Sequence, residues 1–116
     1  MPEEMLLEEI YELIPRLSRA KKLIEPFKNS GIHQRISDTL MLIKKTLEEF
    51  AVFYGQPKPS DFPSLLETTE ELHWAQILII QLEEAISNRD FDELRAIANR
   101  CEEEYLMEYD DEGEYE

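Results

Sequence analysis

The chain has one cysteine, one tryptophan and three glycines in 116 residues, and these shortages exclude several kinds of chemistry. With Cys101 alone no internal disulfide can form, and a reducing compartment is the expectation. Glycines more than twenty residues apart cannot build a phosphate-cradling loop, and no serine sits in a nucleophile elbow. No apolar run approaches the ~20 residues that a membrane-spanning helix needs; Ile77-Leu78-Ile79-Ile80 is typical. The opening Met1-Pro2-Glu3-Glu4 is acidic where a secretion signal is basic and then apolar. The expected location is cytoplasmic, with no membrane association.

Basic residues are also missing, but only from part of the chain. Residues 1–58 carry nine acids and nine bases, whereas residues 59–116 carry eighteen acids against Arg89, Arg95 and Arg100. The whole net charge of −15 therefore belongs to the second half, and nine acids follow Arg100 with no base among them. Such a charge opposes direct binding to nucleic acid and favours basic partners.

The residues that are present, 42% of them apolar, suffice for one core. Leu6, Ile10, Leu13, Leu17, Ala20, Ile24 and Phe27 recur at steps of four and three, which predicts one helix over 3–28, bent at Pro15. Acids near its start and bases near its end suit the helix dipole. Asn29-Ser30-Gly31 separates it from a second stripe, Ile36, Leu40, Ile43, Leu47, Phe50 and Tyr54, on a helix over 32–54. Gly55 and three prolines up to Pro63 predict an extended connection.

Capping-box spacings, Ser64 with Glu67 and Thr68 with Glu71, open a third helix over 64–88. Asp90 with Glu93 opens a fourth over 90–109, with Phe91, Leu94, Ala98, Cys101, Tyr105 and Tyr109 as its stripe. The expected fold is all-α: an antiparallel four-helix bundle running up-down-up-down, one domain over 1–109 followed by an acidic tail over 110–116.

The third helix departs from the pattern. Its main stripe is Leu65, Thr68, Leu72, Ala75, Ile79, Leu82 and Ile86, but Leu66, His73, Ile77 and Ile80 project to another side at ~100° per residue, with Trp74 and Leu78 between. Either this helix is central and its second face is covered by Leu7 and Ile14 or by Leu42 and Phe53, or Leu66, His73, Trp74, Ile77 and Ile80 form an exposed protein interface.

Candidate chemistry is sparse. Glu70 and His73 stand one turn apart, the spacing used by carboxylate–histidine metal bundles. Such bundles need the pair twice, and His33 lacks a glutamate three residues before it. These two remain weak metal candidates, and no cofactor and no enzymatic activity are expected. Cys101 lies on a core stripe, with acidic neighbours that oppose thiolate formation. The cluster Arg16, Arg19, Lys21, Lys22 and Lys28 reads as a solvated helix end that could also receive the acidic tail.

The functional expectation is therefore an acidic adaptor, inhibitor or chaperone-like module. It would bind a protein partner, with a basic one favoured by charge, through Leu66, His73, Trp74, Ile77 and Ile80, as a homodimer or a heteromer. Glu102, Glu103, Glu104, Glu108, Asp110, Asp111 and Glu112 would form its steering surface. The alternative is a nucleic-acid mimic whose carboxylates stand in for phosphates and block a DNA- or RNA-binding protein.

Overall fold

A computed structural model of the chain describes residues 2–27 and 31–106. Four α-helices account for most of them: α1 (Pro2–Leu23), α2 (Gly31–Val52), α3 (Leu65–Ser87) and α4 (Phe91–Cys101). No strand occurs among the described residues. The chain is a compact all-α four-helix bundle, as the periodicity predicts.

The expected stripes become the core. Leu6, Ile10, Leu13, Leu17, Ala20 and Ile24 of the α1 segment are buried, as are Ile36, Leu40, Ile43, Leu47 and Phe50 of α2. Pro15 lies within α1 on its exposed side, where the carbonyl freed by the missing N–H can bond water. Pro26 does not extend the helix. α1 ends at Leu23, and residues Glu25–Phe27 form a single 3-10 turn, because proline supplies no N–H to continue an α-helical ladder.

The connection between α2 and α3 is less extended than its prolines suggest. Gly55 adopts a left-handed φ of 73°, a conformation free of strain only for glycine. Two turns close through Gln56 N–H to Phe53 O and Phe62 N–H to Pro59 O, at 3.0 Å each. Phe62 then packs against Phe50 and Phe53, with ring centroids 6.0 and 5.3 Å away. Lys58 bonds Glu3 at 2.8 Å while its ammonium sits 5.3 Å from the Phe50 ring centroid. This places the end of α2 beside the start of α1.

Caps set the next two helices. Ser64 Oγ accepts the Glu67 N–H at 3.1 Å, and Asp90 Oδ1 accepts the Glu93 N–H at 3.0 Å, each satisfying an otherwise orphaned donor. Between α3 and α4, Arg89 takes a φ of 53° and Asp90 N–H reaches back to Ala85 O at 2.8 Å. These bonds reverse the chain within two residues.

The order of neighbours decides which helix carries two packing duties. α1 packs against α2 and α3, α4 packs against the same two, and α2 and α3 also meet each other. No packing joins α1 to α4 among the described residues; beyond α1, the ring of Phe27 meets Phe91 edge-on at 5.6 Å. α2 and α3 are thus the central pair, and the long connection between them lets α3 run beside α1.

The fourth helix differs most from expectation. α-Helical geometry stops at Cys101, and Glu102–Leu106 form a π-helical turn; residues 107–109 lie outside the described residues. Phe91, expected in the stripe, is exposed, and Ile97 takes the buried position instead. Leu94, Ile97, Ala98 and Cys101 make a tighter i, i+3, i+4, i+7 face.

Candidate functional site

The two sides of α3 have different fates. Thr68, Leu72, Ala75, Leu78, Ile79, Leu82 and Ala85 are buried, forming an arc wide enough to serve both α1 and α4. A central helix needs that width, so much of its extra apolar surface is structural. The rest is not covered. Leu66 is 68% exposed, Ile77 41% and Ile80 47%; His73 is exposed and Trp74 half-buried. The candidate flanking covers, Leu7, Ile14, Leu42 and Phe53, are half-buried, and Ile77 and Ile80 nonetheless stay open.

Leu66, His73, Ile77 and Ile80 are spaced by seven, four and three residues, so they line one strip of α3. The charges that α3 itself contributes are of one sign, while Arg100 and Glu104 from the neighbouring segment stand beside Trp74 and Ile77. α3 contains Glu67, Glu70, Glu71, Glu83 and Glu84 and no lysine or arginine. Trp74 marks one edge, stacked on Tyr105 with centroids 5.5 Å apart and planes at 22°. Beside this stack lies a recess lined by Pro63, Glu67, Glu70, Glu71 and Glu104 together with the two rings. Aromatic faces and carboxylates both attract cations, so the recess has the chemistry to take a lysine or arginine side chain.

Glu71 ties α3 to the π turn. Its carboxylate accepts a hydrogen bond from the Tyr105 hydroxyl. Burial, with the Glu67 charge second, pushes the Glu71 carboxyl up to about 7, because a low-dielectric setting disfavours the charged form. The neighbouring bond from Arg100 to Gln81, at 2.8 Å, also crosses from α4 to α3.

Glu70 and His73 are both exposed. No group of three or more potential metal-ligating side chains forms among the described residues. Cys101 is fully buried as a free thiol. Burial first, with Glu104 adding to it, pushes that thiol up to about 11, against an opposing hydrogen bond with Thr39. Such a group is a packing residue rather than a nucleophile.

The proposed acidic surface divides into three parts. Glu102 is engaged by Arg35 at 3.1 Å, alongside the 2.7 Å bond from Arg35 to Asn99, so it braces α4 against α2. Glu103 and Glu104 are exposed. Glu108, Asp110, Asp111 and Glu112 lie outside the described residues.

Tyr105, expected on the core stripe, does pack against the core, and it also contributes to this site. Its partnership with Glu71 spans 34 positions, and no local pattern announces such a contact. No described helix is long and apolar enough to cross a membrane. No protein-family model, no curated protein and no solved structure matches the chain.

Proposed function

We propose that this chain is a protein-binding module that seats a basic amphipathic helix of a partner protein along the outer strip of α3. The observation that carries this reading is the exposure of Leu66, Ile77 and Ile80 at helical spacing on a helix whose only charges are negative. Helix-in-groove recognition uses anchors at this kind of spacing, and the surrounding glutamates favour a cationic rim on the partner. A second copy is the poorer occupant, because α3 against α3 brings five glutamates against five.

The test uses two synthetic helices with the same leucine face, one with lysine and one with glutamate on the polar face. Trp74, the only tryptophan, reports binding by fluorescence. The lysine helix is expected to bind. Ile77→Glu and Ile80→Glu are each expected to weaken it at least ~10-fold, equivalent to about 1.4 kcal/mol, without lowering the melting temperature. Affinity that ignores both substitutions and disappears with salt would overturn the apolar-anchor reading. Recognition would then rest on carboxylates alone, as in a nucleic-acid mimic. A wild-type dimer in sedimentation, dissociated by Ile77→Glu, would make a second copy the occupant instead.

A further inference from the structure

Four of the nine basic residues of the neutral half lie along a second surface, away from the strip on α3. Lys21 and Lys22 of α1 and Lys44 of α2 line a groove between these helices, floored by Leu17, Leu40 and Met41. Met41 and Lys44 also belong to an adjoining recess across the outer face of α2, which Lys45 and Leu106 complete. The two depressions adjoin at these shared residues, and together they mark a path across α2. It runs from Leu106, at the end of the π turn, over Met41 and into the α1–α2 groove.

Among the described residues, Lys21, Lys22, Lys44 and Lys45 form no ion pair within 4.0 Å. Glu25, Asp38 and Glu48 stand at its borders, and Asp38 already accepts a hydrogen bond from Gln34 at 2.8 Å. Met41, between the two depressions, is 45% exposed. The surface thus combines available ammonium groups with open apolar area, which suits a ligand that is both anionic and partly apolar.

The chain carries such a ligand. Residues 107–116 hold six carboxylates, Met107, Tyr109 and Tyr115, and no base. They follow directly on Leu106, so the path begins where this segment begins. Ten residues can span up to roughly 33–36 Å, more than enough to cross α2, whose diameter with side chains is ~10–12 Å.

We infer that the lysine-lined path over α2 and between α1 and α2 is the docking site of this chain's own segment 107–116. The carboxylates pair with Lys44, Lys45, Lys21 and Lys22 while the methionine and tyrosines lie against Met41 and Leu106. Tethering gives the segment a millimolar effective concentration at the groove. A net charge of −15 on each molecule opposes delivery of the same segment by a second copy. The docked segment screens the basic side of the molecule, leaving its outward surface anionic. It also restricts the groove to partners more acidic than the segment itself.

The experiment uses the full chain with Glu114→Cys carrying a nitroxide; Cys101 is buried and stays unlabelled. At low salt, amide signals of residues 18–22 and 41–45 are expected to broaden. That broadening should be lost at about 1 M salt, where the Debye length is ~3 Å. It should also be lost when Lys21, Lys22, Lys44 and Lys45 are all changed to glutamine. Changing Glu108, Asp110, Asp111 and Glu112 to their amides should remove it while leaving the groove intact. Broadening that survives these substitutions, or centres on Arg89 and Arg95, overturns the inference. So does broadening in a mixture where nitroxide and isotope label sit on different molecules, because the segment then acts on another copy.

Discussion

The halves on either side of the α2–α3 connection solve the same packing problem with different surfaces. α1 and α2 each bury one stripe and return a balanced mixture of charges to solvent. α3 buries a broad arc and still shows isoleucine outside, while α4 and the turn after it add carboxylates. Packing explains the breadth of the arc, since α3 must satisfy α1 and α4 together. It does not explain Leu66, Ile77 and Ile80, which stay 41–68% exposed. A helix that keeps apolar area beyond the needs of its own fold, with all its charges of one sign, offers the surface that the proposed recognition would use.

The sharpest way to break this contrast is to compare adjacent isoleucines. Ile79 is fully buried and Ile80 is 47% exposed. Ile79→Ala should lower the unfolding free energy by ~2–5 kcal/mol, whereas Ile80→Ala should change it by no more than ~0.5 kcal/mol. Urea denaturation of both variants measures the difference. Similar losses would mean that the outer strip belongs to the core, and the contrast between the two sides would vanish.

A smaller effect tests the acidic half through pH. The Glu71 carboxyl is raised from the ordinary 4.5 to about 7, so between these values the folded chain holds a proton that the unfolded chain releases. Its contribution is fully present below pH 4.5 and is lost as pH rises through about 7. Glu71→Gln removes the ionisation and keeps an acceptor for Tyr105. Allowing for partial solvent screening, the variant should be more stable by ~1–2 kcal/mol at pH 8 and should flatten the pH slope. Denaturation across pH 4 to 8 reads this directly. An unchanged slope would assign the dependence to other groups.

The smallest effect belongs to the neutral half. Gly31 opens α2, and a Cβ added there meets nothing within 4 Å. Gly31→Ala should stabilise the chain by ~0.4–1 kcal/mol by restricting the unfolded state, measurable as a higher melting temperature. It should leave binding at α3 unchanged, since it touches neither the strip nor its supports.

How far the primary structure announces these features depends on the range of the interaction. The stripes of α1 and α2 are legible because a single apolar face repeats every three or four residues. The caps at Ser64 and Asp90 are legible because side chain and amide lie three positions apart. Phe91 misleads because it has the right spacing and the right chemistry, yet sits too early in α4 to reach the core. Ile97 holds a consistent place beside Leu94 and Cys101 and is recoverable from that face. Neither the Tyr105–Glu71 bond nor the path from Leu106 to Lys21 has a local signature. Both depend on how helices distant in sequence are laid side by side.

α1 and α4 do not pack together among the described residues, so apart from the Phe27–Phe91 ring contact the molecule's two flanks are joined through the central α2–α3 pair. An occupant on α3 and a segment lying over α2 would therefore sense each other as two hands on one rod, through shifts of that pair as a unit. A mutation that loosens the Phe50–Phe62 packing at one end of the pair would separate the two events while leaving both surfaces chemically intact.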